Sequence, residues 1–176
     1  KEKIQEWINS HGKIIGEDSL ELMSMAGIPI APSRVARNEK EAIKIAGEIG
    51  YPIVMKVESP DAIHKTDVRG VVTGVKNDDE IGKYFLLIRD NLEKYKKGSR
   101  FEGIRIQKMI YEGYDMFIGG KYDKSFGSAV IFGFGGIYVE AFKDVQTCLC
   151  PADTDFVRKQ LQSIKSYALL EGIRGN

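Results

Sequence analysis

Lys56 sits inside an apolar, β-branched run, V-M-K-V at 54 to 57. The polar segment after it carries Pro60, His64, Lys65 and Asp67, and Gly70 leads into a second apolar run, Val71 to Val75. Two strands pinching a charged loop make a good place to hold phosphate. A lysine in so apolar a strand is rarely buried without a partner. As a point charge on a flexible stem it suits a phosphate. An edge-strand lysine snorkelling to solvent explains it too, and both readings stand. His64 is one of only two histidines in the chain. An imidazole can serve as base, metal ligand or phosphoryl acceptor. Lys65 would offset phosphate charge and Asp67 would orient the ring, although spacing alone does not assign His64 a role.

A second group of candidates lies further along. The segment 106 to 120 reads as two strands joined by a short turn. Gln107 offers an amide, strand backbone can pair with a base edge, and Asp115 can accept hydrogen bonds from ribose hydroxyls. A plain β-connection with a solvated acid is the simpler account of these residues. F-G-F-G-G at 132 to 136 lacks the G-x-G-x-x-G spacing and no helix pattern follows, so the dinucleotide fingerprint fails. A glycine connection that lets backbone approach a ligand remains open. Glu140 and Asp144 would share one face of a strand, and oxygen ligands of that kind suit Mg²⁺. Solvent-facing acids would look the same. Cys148 and Cys150 are too few and too close for a disulfide framework, and read as small apolar strand residues.

These residues must be positioned by ordinary elements. Helices are expected over Lys1 to His11 and Glu17 to Ala26, with Gly27 as a cap. Pro29 and Pro32 force an extended stretch. Asn38, with Glu41 three residues on, forms a capping-box-like start to a helix ended by Gly50. Its expected buried stripe is Ile43, Ala46 and Ile49. Strands follow at Ile53 to Val57 and Val71 to Val75. A long helix from Asp78 or Asp79 to about Tyr95 places Ile81, Tyr84, Phe85, Ile88 and Leu92 inward. Strands are then expected at Ile104 to Ile110, Asp115 to Tyr122, Ser128 to Phe132 and Ile137 to Val145, with a last helix from Asp155 to Tyr167. Mixed helices and a largely antiparallel sheet in two lobes give an α+β class.

With 176 residues the chain can bury a sizeable core. A net charge of +1 carries no global footprint for nucleic acid or membrane. No apolar run is long enough to span a bilayer. The K-E-K start lacks a signal-peptide core, which favours the cytoplasm.

Taken in order, these segments resemble the ATP-grasp subunit of ADP-forming acyl-CoA synthetases such as acetate–CoA ligase. The resemblance rests on G-I-P-I at 27 to 30, E-I-G-Y-P-I-V-M-K-V at 48 to 57 and S-P-D-A-I-H-K-T-D-V at 59 to 68. F-G-F-G-G-I-Y-V-E-A-F-K-D-V at 132 to 145 and Y-A-L-L-E-G-I-R-G at 167 to 175 complete it. The resemblance implies an ATP-grasp fold, two lobes with nucleotide held between antiparallel sheets. Residues 1–26 would be an N-terminal helical segment, 27–103 the first lobe and 104–176 the second. The family domain normally continues to further metal ligands, a part expected to be absent here. By resemblance, Lys56 holds nucleotide phosphates and His64 carries a phosphoryl group. Gln107, Lys108, Met109 and Ile110 form the hinge that receives adenine. Asp115 takes the place of a ribose-binding acid, and Glu140 and Asp144 are metal-side acids. The implied ligands are ATP or ADP with Mg²⁺, and the implied partner is a CoA-binding subunit or fused domain in a hetero-oligomer.

Two residues depart from the family pattern. Arg69 stands where a glycine usually precedes Gly70, and Cys148 stands where an arginine is common. Both keep a non-catalytic, nucleotide-sensing ATP-grasp module in play. A ligase of the succinyl-CoA synthetase kind is the enzymatic alternative. Its glycine-rich phosphate loop has no counterpart in A-I-H-K-T-D at 62 to 67.

Overall fold

The structure is a computed structural model that describes residues 2–11, 19–62, 64–136 and 143–172. The chain divides into two compact units, Lys1–Ile110 and Tyr111–Asn176. In the first, helices α1 (Glu2–His11) and α2 (Ser19–Met25) precede strand β1 (Ser33–Ala36) and helix α3 (Glu39–Ile49). Strands β2 (Ile53–Glu58) and β3 (Val71–Val75), helix α4 (Asp78–Tyr95) and strand β4 (Gly103–Lys108) complete it. The four strands form an antiparallel sheet in the order β1-β4-β2-β3.

Local chemistry sets the helix ends. The Asn38 side chain accepts the Glu41 N–H at 2.9 Å, and Glu41 reaches back to the Arg37 N–H at 2.8 Å. Asn77 and Glu80 repeat the device at the start of α4, with Glu80 on the Lys76 N–H. Gly50, at φ +82°, ends α3 and returns its N–H to Ala46 at 2.8 Å.

One face of the sheet makes the core. Ile53, Met55 and Val57 alternate inward on β2, and Ile104 and Ile106 do so on β4. They are buried in one cluster with Ile81, Phe85, Ile88 and Leu92 of α4. Each such side chain contributes about 2 kcal/mol from burial before entropy is counted. On α3 the buried residues are Ala42, Ile45 and Ala46, whereas Ile43 and Ile49 pack at the cluster's margin. The helix is thus rotated from the expected stripe. It turns its alanines inward, because small side chains allow close approach to the sheet.

β4 also corrects the expected lobe boundary. The resemblance places it in the second lobe, yet it lies between β1 and β2 and pairs with both. The division between units therefore falls after Ile110, not at 103. β1 itself fell in the stretch expected only to be extended.

The second unit is a three-stranded antiparallel meander of β5 (Met116–Asp123), β6 (Gly127–Phe134) and β7 (Val145–Leu149), followed by helix α5 (Thr154–Gln162) and a 3₁₀ turn (Lys165–Leu169). Asp123 Oδ1 accepts the Ser125 and Phe126 N–H groups and shapes the first hairpin. Phe132, Phe134, Cys148 and Ile164 form the small buried cluster. The last strand lies at 145–149, later than the expected 137–145, of which 137–142 fall outside the described residues. The last helix stops at Gln162 and does not run to Tyr167. Asp144 takes the N–H groups of Lys165 and Ser166 at 3.0 and 2.7 Å, which a continuous helix would direct to its own carbonyls.

Candidate active site

The site is built on the face of β2 that points away from the core. Side chains on a strand alternate, so Val54, Lys56 and Glu58 share that face while Met55 and Val57 are buried behind it. The register places Lys56 opposite Arg105 and Val54 opposite Gln107. Lys56 reaches diagonally and donates to Gln107 Oε1 at 2.8 Å. Two residues singled out separately in the sequence, Lys56 and Gln107, are therefore brought into contact.

Two cations directly opposite each other on adjacent strands repel. Glu58 answers that repulsion. Among the described residues it is the one charged side chain that is buried, at 2% exposure. Its Oε1 accepts from Arg105 Nε at 2.6 Å and its Oε2 from Lys65 Nζ at 2.7 Å. Gly103 stands opposite Glu58 and puts no side chain beside the carboxylate. Burial, with repulsion from Lys65 and Arg105, holds the Lys56 ammonium below the ordinary lysine value, and Glu58 acts against that shift. Two cations thus pair with one carboxylate and Lys56 lies on the same face, leaving a net positive face suited to an anion such as phosphate.

Sequence reading missed Glu58 and Arg105. The signal that marked Lys56, a charge in an apolar strand, was available for both. Which carboxylate meets which cation depends on the β2–β4 register.

The His64 loop rises from the end of β2. Its stem is fixed at both sides, with Ala62 and Val68 buried in the core. The Val57 N–H donates to Gly70 O at 2.8 Å, and Asn91 Nδ2 donates to Arg69 O at 3.0 Å. Asp61 pairs with Lys96 and accepts the Arg100 N–H. These contacts hold the Asp61 carboxyl below its ordinary value, the Lys96 hydrogen bond most of all. Between these anchors His64 is exposed. Asp67 meets it through backbone, N–H to His64 O at 3.0 Å. Among the described residues no hydrogen bond supports the ring-orienting role expected of the Asp67 carboxylate.

Arg69 occupies the left-handed region at φ +50°, where glycine is the easier residue. That is the physical meaning of the departure seen in the sequence: the turn needs a left-handed residue, and arginine adopts it at a cost. Gly70 has a different reason to be glycine. A Cβ there would lie 2.4 Å from Val57 Cγ1 and 2.9 Å from Val68 Cγ2.

The remaining candidates are placed as follows. Lys108 Nζ donates to the carbonyls of Gly50 and Tyr51 at 2.9 and 3.3 Å, so it secures the end of α3. The Lys108 and Met109 N–H groups are taken by Pro32 O and Pro52 O. Ile110 is exposed. Asp115 is exposed, and its carbonyl accepts the Gly135 N–H at 2.6 Å. Glu140 lies outside the described residues. Burial pushes the Asp144 carboxyl up, but hydrogen bonds from Lys165 and Ser166 outweigh it and leave the group below its ordinary value. With both oxygens so engaged, Asp144 acts as a cap. Among the described residues no three of His, Cys, Asp and Glu converge as metal ligands. Cys148 is a free thiol buried in the second unit's apolar cluster, as its apolar neighbours in the sequence suggest.

Comparison with known proteins agrees with this architecture. Residues 9–176 match the ATP-grasp domain, and the chain belongs to that family. It is 41% identical over 162 residues to the acetate–CoA ligase [ADP-forming] I subunit beta of Pyrococcus furiosus, covering 92% of this chain and 70% of the relative. It is 39% identical over 175 residues to acetate–CoA ligase [ADP-forming] I of Archaeoglobus fulgidus, covering 99% of this chain but only 25% of that longer protein. The dinucleotide forming acetyl-coenzyme A synthetase 1 of Ca. Korarchaeum cryptofilum, in complex with coenzyme A and Ca-AMPCP, matches with a TM-score of 0.84 at 35% identity, over 89% of this chain and 68% of that one. That enzyme is also known with a phosphorylated phosphohistidine segment in its site I orientation, and with the segment pointing towards the nucleotide binding site and Mg-AMPPCP bound. These structures match with TM-scores of 0.79 and 0.76, each at 32% identity, over 90% of this chain and 68% and 67% of those chains. No helix among the described residues is long and apolar enough to cross a membrane.

Proposed function

We propose that this chain is the nucleotide-binding part of an ADP-forming acid–CoA ligase, in which His64 carries a phosphoryl group. The overall reaction is acyl-CoA + ADP + phosphate ⇌ carboxylate + ATP + CoA. A CoA-binding partner, separate or fused, forms the acyl phosphate. A nitrogen of His64 accepts the phosphoryl group as its bond to the partner's donor breaks. The new P–N bond then breaks as a terminal phosphate oxygen of ADP takes the group, yielding ATP. Transfers of this kind need positioning and charge neutralisation above all.

The observation that carries the reading is the placement of an exposed histidine on an anchored loop directly after the cationic face of β2. Lys56 and Arg105 meet phosphate charge, and Gln107 keeps Lys56 aimed. The phosphohistidine segment of the K. cryptofilum enzyme, with its two orientations, supports the loop's role as carrier. Segment 107–110, whose Lys108 and Met109 N–H groups are already taken, is the proposed adenine hinge, and Asp115 is the proposed ribose acid. Mg²⁺ would arrive on the nucleotide's phosphates. The described residues supply no cluster for it, and Asp144 is committed to its cap. We place the protein in the cytoplasm, where acyl-CoA and ADP are available.

The test uses the chain with its CoA-binding partner, radiolabelled phosphate, acetyl-CoA and Mg²⁺. Acid-labile, base-stable label should appear on this chain, vanish in His64→Ala and be discharged by ADP. An active partner with no label here would end the relay reading and favour a nucleotide-sensing module.

A further inference from the structure

We infer that Glu58 is a positioning residue for His64, acting through Lys65 as a latch on the loop. The inference rests on the reading of His64 as the phosphoryl carrier. Glu58 is the last residue of β2, and Lys65 returns to it from the loop, so their 2.7 Å ion pair closes the segment that holds His64. The carboxylate is buried at 2% exposure and held from its other oxygen by Arg105, itself 12% exposed. It is therefore a fixed post and not a solvated acid. Lys65 is 25% exposed, so its side chain lies largely against the protein while the neighbouring His64 faces solvent.

The other anchors grip the loop's ends. Ala62 and Val68 are buried, Asp61 is tied to Lys96 and Arg100, and the Arg69 carbonyl to Asn91. Glu58 holds the middle, one residue from the imidazole. A charged hydrogen bond at a buried carboxylate is among the stronger ties a loop can have. An adjacent side chain so restrained narrows the positions open to His64, which is what in-line transfer requires. The same carboxylate lowers the repulsion among Lys56, Lys65 and Arg105, so one residue serves both the phosphate face and the loop.

The test compares Glu58→Gln, Lys65→Met and the double variant in the chain with its partner. Amide exchange at Asp67, Arg69 and Gly70, whose N–H groups bond within the loop, should quicken about tenfold in each single variant and no further in the double. The initial rate of His64 labelling should fall about tenfold. ADP affinity by calorimetry should hold or tighten in Glu58→Gln, because the cations lose their counter-charge. Unchanged exchange in both single variants overturns the latch, as does full additivity in the double. Equal loss of protection at Ile88 and Leu92 of α4 also overturns it, since Glu58 would then hold the whole unit. Lys65→Met, on the less buried partner, keeps the test decisive should Glu58→Gln fold poorly. The exchange measurement is independent of any labelling. An unlabelled wild-type chain with wild-type exchange in the variants defeats both readings, whereas an unlabelled chain with quickened loop exchange defeats only the relay.

Discussion

The first unit covers one face of a four-stranded sheet with two capped helices and spends the other face on charge. Among the described residues the second has three strands, a single short helix and a much smaller buried cluster. Ile106 of the first sheet is fully buried, while Ile118 of the second is 78% exposed. The second unit also opens an apolar groove of about 400 Å³ between Phe117, Phe132, Cys148 and Leu161. The difference shows where precise chemistry can be held. A buried ion pair such as Glu58–Arg105 demands a stiff frame, because its desolvation is offset only when geometry is kept. The four-stranded sheet with its helix-covered core supplies that frame.

A matched pair of truncations probes the contrast most strongly. Ile106→Ala should destabilise the first unit by about 3 kcal/mol in urea unfolding, and Ile118→Ala should cost the second less than about 0.5 kcal/mol. Comparable losses would erase the distinction. Gly70→Ala comes next, with a cost of about 2 kcal/mol as the methyl group meets Val57 and Val68. Its damage should concentrate at the His64 loop in amide exchange.

Lys56→Met tests whether the charged face is kept for ligand and not for stability. The folded lysine sits below its ordinary value, so its charge subtracts stability at neutral pH, and wild-type stability should rise as pH climbs from that lowered value towards 10.5. The variant should lack this rise and be no less stable than wild type at pH 7. Its ADP affinity should fall about tenfold, or about 1.4 kcal/mol, by calorimetry. Apart from the Ile118 control, the smallest effect belongs to the second unit. Asp144→Ala should cost about 1 kcal/mol at pH 7 through loss of the cap on the 3₁₀ turn. Because the folded carboxyl lies below 3.8, that contribution is present above the unfolded value and fades as pH falls through the folded one. The gap between variant and wild type should therefore close in acid.

Much of the frame was legible in the chain. Asn38 with Glu41 gave the start of α3, and apolar spacing gave the buried face of α4. These signals are local, since a cap or a stripe is decided within a few residues. Lys56 and His64 stood out because each breaks the pattern of its own segment. The order of the motifs pointed to the ATP-grasp family.

What the sequence left undecided were pairings across distance. That β4 lies between β1 and β2, and so belongs to the first unit, follows from strand register and not from any residue in β4. The same register sets Arg105 opposite Lys56 and lets Glu58 join Arg105 to Lys65. Likewise only the fold brings Lys165 and Ser166 to the oxygens of Asp144. A side chain's type is written in the sequence, but its partner is chosen by backbone hydrogen bonds between segments tens of residues apart. Only the tertiary structure decides those contacts.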